Sequence, residues 1–238
     1  MSSKPRSKAH LVFQDRVREV IQLLRLCDLE STPATPQKRR TDEALCRAAV
    51  VLLSSHMEGF FEDLVKDALQ FHELNKTKIS LLPLRLRLLQ LRKALDLVDR
   101  GADERSWQNV TLIRESLFSD ESKFCAIGAI DLECHTAGFA NPGSNEVKDL
   151  LYSVGIPDIW TIILARKPGN VVLRGSLDAL VSRRNPIAHG DAGAKATVKD
   201  VIGYLKDMRR LVTEFDEVTS EQLSKISGLP DPWAILPA

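Results

Sequence analysis

The chain has 238 residues, 44% of them hydrophobic and 27% charged, and its 33 basic and 32 acidic residues give a net charge of +1. This composition supports one large folded domain, and the near-neutral charge argues against a protein that coats nucleic acid by bulk electrostatics. No apolar run approaches the roughly eighteen residues of a membrane span, so we expect a soluble, cytoplasmic protein.

Two helices are predicted in the first third of the chain. Apolar residues recur at steps of three and four over residues 8–28, as in an amphipathic helix. The proline-containing stretch that follows, with the basic run 38–40, is predicted to be a solvated loop. Thr41 is then predicted to begin a helix of more than about thirty residues that packs Phe60 and Phe61 inside a helical bundle.

The middle third is predicted to hold an irregular insert between helices. Leucine and arginine alternate after residue 83, which is compatible with a strand, but propensity and the continuation of the pattern favour a helix over 83–100. Another helix is predicted over 104–117. Residues 124–134 fit a short strand or a buried helix equally well. The turn signal at 141–144 then precedes a short helix over 145–154.

The most informative segment is a helix that a polar cluster closes. Ser176 is predicted to cap this helix, which carries Arg184 and Asn185 near its end. Pro186 cannot continue the helical hydrogen bonding unperturbed, so the helix either kinks there or ends with Asn185 capping a fresh turn. Gly190 is predicted to end the helix.

The residue types in this cluster suit phosphate chemistry. The guanidinium of Arg184 can hold a phosphate and stabilise its developing charge, and the imidazole of His189 can move protons near neutral pH. These are the requirements of metal-free RNA cleavage by the 2′-hydroxyl, with Asn185 holding the phosphate or the imidazole. An arginine and a histidine at this spacing are common, however, and alone would not justify a function.

The string RNPIAHG at 184–190 resembles the RNxxAHG form of the Arg-x4-6-His signature of HEPN domains. The preceding SLDALVSR, the segment SSHMEGFFEDLV at 54–65 and a predicted helix over 197–217 are similar to the RiboL-PSP-HEPN group. The resemblance covers residues 41–218 and implies an all-α bundle of long antiparallel helices. It also implies a homodimer in which two Arg/His motifs face one composite cleft.

The resemblance further implies an activity and a set of site residues. Many relatives are endoribonucleases that act as toxins or in defence against phage, whereas others only bind nucleotides, RNA or protein partners. We therefore expect Arg184 and His189 to be catalytic and Asn185 to position one of them. Glu58 is a tentative candidate for holding a motif side chain, and Arg183 for contacting RNA or a partner. The expected partners are RNA, a second copy and an antitoxin or operon partner; no cofactor or metal is expected.

The flanking segments complete the predicted organisation. Residues 1–40 are assigned to an N-terminal helix and loop, 41–218 to the HEPN-like domain and 219–238 to a tail that docks through Trp233 or frays. The four cysteines show neither a CxxC pair nor zinc-ligand spacing, so they are expected to be reduced core residues.

Overall fold

The structure is a computed structural model that describes residues 5–27, 35–101, 104–191 and 193–236, and within these ranges it has eight α-helices and no strand. In chain order they are α1 (Lys8–Leu26), α2 (Pro36–Leu74), α3 (Leu84–Arg100), α4 (Glu104–Leu117), α5 (Ser144–Ser153), α6 (Ile159–Arg166), α7 (Val171–Ala188) and α8 (Val198–Ser227). The predicted all-α helical bundle is confirmed.

The 39-residue helix α2 is the axis of the bundle and packs against α1, α7 and α8. Phe60 and Phe61 on this helix are fully buried, as predicted. The ring of Phe60 meets Phe13 of α1 at 5.8 Å, and that of Phe61 meets Phe215 of α8 at 5.3 Å, between centroids. Edge-on aromatic pairs of this kind bury large apolar areas with a defined geometry. The core therefore lies along α2.

The start of α2 differs from the prediction. The helix begins at Pro36, and the side chain of Thr35 accepts a hydrogen bond from the backbone N–H of Lys38. The prediction of a loop at 38–40 and of a helix start at Thr41 was therefore wrong. The reason is that a threonine N-cap followed by proline at the first helical position is itself a strong helix start. Residues 28–34, which include the rest of the predicted loop, lie outside the described residues.

The middle third contains the two predicted helices, α3 and α4, followed by irregular chain. In the segment 124–134 neither a strand nor a full helix forms; it holds a bridge pairing between Lys78 and Phe124 and a short 3-10 turn at Leu132–Cys134. The buried amide of Gln90 on α3 accepts from the backbone N–H of Asp131 and donates to its carbonyl, at 3.0 and 2.9 Å. A side chain thus satisfies the backbone groups that a regular element would have paired.

The helices α5 and α6 lead back toward the bundle, and α6 was not predicted. Between them Gly155 has φ +87°, and a Cβ at this position would lie 2.1 Å from Cγ of Pro83. Only glycine fits both the left-handed backbone and this close approach. The position therefore fixes the end of α5 against the start of α3.

The last helix runs further than expected. A capping box between Thr197 and Asp200 begins α8, which continues to Ser227 and stops at Gly228, with φ +75°. The predicted divisions after residues 40 and 218 both fall inside helices. Beyond α8, a 3-10 turn at Pro232–Ile235 buries Trp233, so the tail docks rather than frays.

Among the described helices one, α2, is long and apolar enough by length and composition to cross a membrane, but half of its most apolar window is buried inside the bundle. Core helices of soluble proteins meet the same criterion, so the length and apolar composition of α2 are weak evidence for a membrane span. The four cysteines are buried and free.

Candidate functional site

Helix α7 carries the motif and is fixed in the bundle by its apolar side. Leu173, Leu177 and Leu180 are fully buried, and the helix packs against both α2 and α8. Ser176 does not cap the helix, contrary to prediction; α7 begins at Val171, and the Ser176 hydroxyl donates to Asp207 of α8 at 2.5 Å. The rigid part of α7 therefore lies just before the motif.

The helix also continues through Pro186 and ends at Ala188, with His189 as its C-cap. The alternative in which Asn185 caps a fresh turn was therefore wrong. Gly190, with φ +79°, ends the helix as predicted. Its N–H donates to the carbonyl of Ile187 at 3.1 Å, and the N–H of Asp191 donates to that of Pro186 at 3.0 Å. This pair of bonds is a Schellman motif, which requires the left-handed residue that glycine supplies.

The helix end leaves the His189 side chain exposed. It is the one exposed histidine of five; the other four are His10, His56, His72 and His135. Burial lowers the pKa of all four, to about 4 for His72 and His135, so they stay neutral at physiological pH. Of the five histidines, only His189 is therefore open to a ligand from solvent.

Arg184 is half-buried and tethered. Its Nη1 donates to Oδ1 of Asn141 at 2.8 Å and to Oδ1 of Asn185 at 3.4 Å. Its Nε and Nη2 form no hydrogen bond with the described residues, so two edges of the guanidinium remain for a ligand. Arg184 and Asn185 are thus in contact, and the positioning role expected of Asn185 stays a prediction.

The tether to Asn141 was missed in the sequence. Asn141 has φ +54°, the left-handed conformation that asparagine tolerates better than most residues, in the turn that was predicted at 141–144. Two further bonds from α7 hold the same turn: Oδ1 of Asp178 accepts from the backbone N–H of Ser144 at 2.8 Å, and Nε of Arg174 donates to its hydroxyl at 3.2 Å. The turn signal in the sequence predicts a turn at 141–144, but it does not predict that this turn contacts the motif.

In the described part of the chain, neither tentative residue forms a hydrogen bond or ion pair with Arg184, Asn185 or His189. Nη1 of Arg183 donates to the backbone carbonyl of Lys195 at 2.6 Å, which holds the loop between α7 and α8. Glu58 is half-buried and forms no hydrogen bond or ion pair with any described residue. Two residues earlier on α2, Nε2 of His56 lies 3.3 Å from Oε2 of Glu19 on α1. The proposed roles of Arg183 and Glu58 therefore remain predictions.

The geometry of α7 separates the two signature residues. Five helical residues rotate by about 500°, which leaves Arg184 and His189 about 140° apart around the axis, with about 7.5 Å of rise. Asn185, by contrast, lies one turn before His189 on the same side. Ideal helical geometry therefore places the Cα atoms of Arg184 and His189 on different sides of α7.

An open groove of about 690 Å³ runs beside the motif, between α1, α2 and Ile187 of α7. Arg47 is the one charged residue that lines it, and neither Arg184 nor His189 is among its lining residues. The described part of the chain holds no group of three or more His, Cys, Asp or Glu residues that could bind a metal ion.

The comparisons with known proteins identify a family. The RiboL-PSP-HEPN family matches residues 12–221, which is most of the chain and includes the whole motif. Neither curated proteins nor solved structures gave a match. The chain belongs to the RiboL-PSP-HEPN family.

Proposed function

We propose that this protein is an endoribonuclease that cleaves RNA through attack of the 2′-hydroxyl and needs no metal ion. The observation that carries the proposal is the placement of His189, the one exposed histidine, on the cap of the helix that holds Arg184 half-buried with free guanidinium edges. Membership in a family of HEPN domains supports an RNA-directed role.

The proposed reaction is a transfer of the phosphate to the neighbouring 2′-oxygen. The 2′-oxygen loses its proton and bonds to phosphorus, while the bond from phosphorus to the 5′-oxygen breaks and that oxygen gains a proton. The products are a 2′,3′-cyclic phosphate and a 5′-hydroxyl. Arg184 stabilises the charge on the equatorial oxygens, His189 moves a proton, and Asn185 positions Arg184 through the contact at 3.4 Å.

We propose that two copies build the active site. Because one helix presents Arg184 and His189 about 140° apart, a second copy that faces it can supply the complementary residue. The open groove beside Ile187, lined mainly by α1 and α2, offers an apolar surface for this contact. A cytoplasmic toxin or defence effector, restrained by an antitoxin or operon partner, fits such a nuclease.

The test is cleavage of a long, end-labelled single-stranded RNA in EDTA. We expect wild-type protein to leave 2′,3′-cyclic phosphate ends, and Arg184→Ala and His189→Ala to lose about 10²–10⁴-fold in rate. The matched control is Arg18→Ala, which removes an exposed arginine of α1 that pairs with Asp15. Equal cleavage by all variants would mean a contaminant or another site.

Mixing the two inactive variants tests the composite site. If each site takes Arg184 from one copy and His189 from the other, half of the randomly mixed dimers regain one of two sites, so roughly a quarter of the activity returns. No recovery, with exchange of subunits verified by a labelled copy, would place both residues of a site in one chain.

A second candidate is a module of the same fold that binds RNA, a nucleotide or a protein partner without turnover. It is favoured by the bonds of Arg184 to its own chain, which are those of a structural arginine. This reading predicts no cleavage by any variant, but RNA binding that Arg184→Ala weakens.

A further inference from the structure

The outer side of helix α2 changes the sign of its charge along its length. Six residues on this side, here called the α2 stripe, fall within an arc of about 60° around the helix. They are Arg40, Ala44, Arg47, Val51, Glu58 and Glu62. All six are exposed or half-buried, although α2 is the axis of the bundle. The basic members lie before Val51 and the acidic members after it.

The charges of the α2 stripe are not neutralised within one chain. Arg40, Arg47, Glu58 and Glu62 form no hydrogen bond or ion pair with the described residues. On a helix, Arg40 and Glu62 are about 33 Å apart, and Arg47 and Glu58 about 17 Å apart. The two ends of the stripe therefore cannot pair with each other in the same copy.

The neighbouring residues of α2 do not cancel these charges. Residues 36–55 hold four basic and two acidic residues, whereas residues 56–66 hold one basic and three acidic residues. In the first range Asp42 pairs with Lys38 at 2.8 Å. This leaves Glu43 as the one acidic residue of that range to oppose three arginines. The first half of the exposed side therefore keeps an excess of positive charge.

The second half keeps an excess of negative charge. Asp63 pairs with Arg16 of α1 at 3.2 Å, and Lys66 pairs with Glu133 at 2.9 Å, so neither of these pairs changes the balance. Burial, together with the carboxylates around it, raises the pKa of Glu62, although Lys66 acts in the opposite direction. A cation from outside the chain would therefore stabilise the Glu62 carboxylate.

The middle of the α2 stripe lies in the open groove of about 690 Å³ described above. On α2 this groove is lined by Val51 and by the small side chains of Ala44, Ala48 and Ser55. Small side chains let a second helix approach closely, because the distance between packed helices depends on the residues at the contact. The stripe thus has an apolar centre that a helix can cover, with opposite charges at its two ends.

We propose that the α2 stripe pairs with the same stripe of a second copy of this chain, antiparallel and centred on Val51. This register sets Arg40 opposite Glu62 of the second copy, since the two residues lie eleven positions before and after Val51. It also brings Arg47 within one turn of Glu58 of the second copy. In a twofold contact the same patch is used by both copies, so each of these pairs forms twice.

Other occupants of the α2 stripe fit less well. A parallel second copy would set arginine against arginine and glutamate against glutamate, and like charges that face each other oppose pairing. An RNA backbone fits the basic half alone, because Glu58 and Glu62 repel phosphate groups. The reversal of charge about Val51 is the property that an antiparallel, self-complementary contact requires.

The pairing deepens the proposed composite site, and it rests on the proposed function in that respect alone. Ile187 of α7 lines the same groove as Val51 and lies between the two signature residues in sequence. A twofold axis at Val51 therefore brings the C-terminal ends of both α7 helices to one interface. The contact itself can be measured without RNA, so it is tested independently of cleavage.

The first test is self-association of the full chain, measured by analytical ultracentrifugation in the absence of RNA. The acidic variant carries Arg40→Glu with Arg47→Glu, and the basic variant carries Glu58→Lys with Glu62→Lys. Each variant alone sets like charges against each other and should dimerise at least about tenfold more weakly than the wild type. A mixture of the two should form a heterodimer with about the wild-type affinity, because opposite charges then face each other at both ends.

The matched control reverses two exposed arginines of α1 at the same spacing of seven residues, Arg18→Glu with Arg25→Glu. On a helix both lie about 140–160° from Leu23, the residue of α1 that lines the groove. This control should dimerise as the wild type does. Urea unfolding of every variant shows that a change in dimerisation is not a loss of fold.

A cysteine at the centre of the stripe gives a second measurement. Val51→Cys should form a disulfide with the same residue of the second copy when oxidised glutathione accepts the electrons and protons of the two thiols. Ser55→Cys should not, because the proposed register sets its two copies about 12 Å apart along the helices. The four native cysteines are buried, so the wild type gives the background of crosslinking.

The outcomes separate this inference from the proposed function. A chain that stays monomeric overturns the inference. So does a dimer that the α1 control weakens as much as the stripe variants do, or one that the mixture does not restore. Cleavage of RNA by a chain whose dimer ignores the stripe variants refutes the inference alone. A dimer that passes both tests while no RNA is cut supports the interface and counts against the proposed function.

Discussion

Removing the side chain of Asn141 should slow RNA cleavage even though neither signature residue is substituted. Nη1 of Arg184 donates to its Oδ1 at 2.8 Å, and a hydrogen bond from a charged donor contributes about 1.5–3 kcal/mol. Because Arg184 is half-buried and keeps its longer bond to Asn185, the lower value applies. A loss of about 1.5 kcal/mol corresponds to roughly tenfold lower kcat/KM.

The choice of substitution follows from the backbone. With φ +54° at this position, alanine would add strain, so Asn141→Gly removes the acceptor alone, and Asn141→Asp keeps an acceptor oxygen. The assay is the initial rate of RNA cleavage in EDTA, with stability from urea unfolding as a check. Cleavage at the wild-type rate by Asn141→Gly, or an Asn141→Asp variant as slow as Asn141→Gly, would refute the role of this tether.

Three further predictions concern stability. Gly155→Ala should lower the free energy of unfolding in urea by about 2–4 kcal/mol, and Gly138→Ala by only about 1–2. Both glycines have φ near +80°, but only a Cβ at Gly155 would meet the ring of Pro83. Equal losses would contradict this close approach. Burial raises the pKa of Asp67 to about 6, against 3.8 for the free group. The folded state therefore binds the proton more tightly, and stability falls as pH rises from about 4 through 6. Asp67→Asn keeps an acceptor and should gain up to about 3 kcal/mol above pH 7 but nothing at pH 4; a constant difference would argue against it. Burial lowers the pKa of His72 to about 4. The unfolded state therefore binds more protons, so acid destabilises the fold between about pH 6.5 and 4. NMR should detect no protonation of its ring above about pH 5, and a midpoint near 6.5 would disprove its burial.

The sequence predicted the elements whose signal is periodic. Apolar residues at helical spacing located α1, α3 and α4 within a residue or two, and Phe60 and Phe61 were correctly placed in the core. The motif's glycine also stops α7 as expected, since a left-handed cap is a local property of one residue.

The features that depend on contacts distant in sequence were not predictable. Arg184 bonds to Asn141, 43 residues earlier, and nothing in either local pattern pairs them. Gln90 holds the segment around Asp131 through its side chain, so that segment needs no regular structure and shows no period. At Pro186 the local rule was overridden, because buried residues on both sides, Leu180 and Ile187, keep the helix packed on the bundle.

Pro186 also makes the C-terminal end of α7 easier to unfold locally than the first half of the helix. With no N–H on the proline, the carbonyl of Ser182 receives no i→i−4 hydrogen bond, so the last turn, from Pro186 to His189, is linked to the rest of the helix by one bond fewer. The first half, anchored by buried leucines, should open only with the whole domain. Amide hydrogen exchange should therefore be faster at Ala188 and His189 than at Leu180. His189, which we propose to be catalytic, would then lie on a short segment able to adjust its position around a substrate while the arginine half of the helix stays fixed.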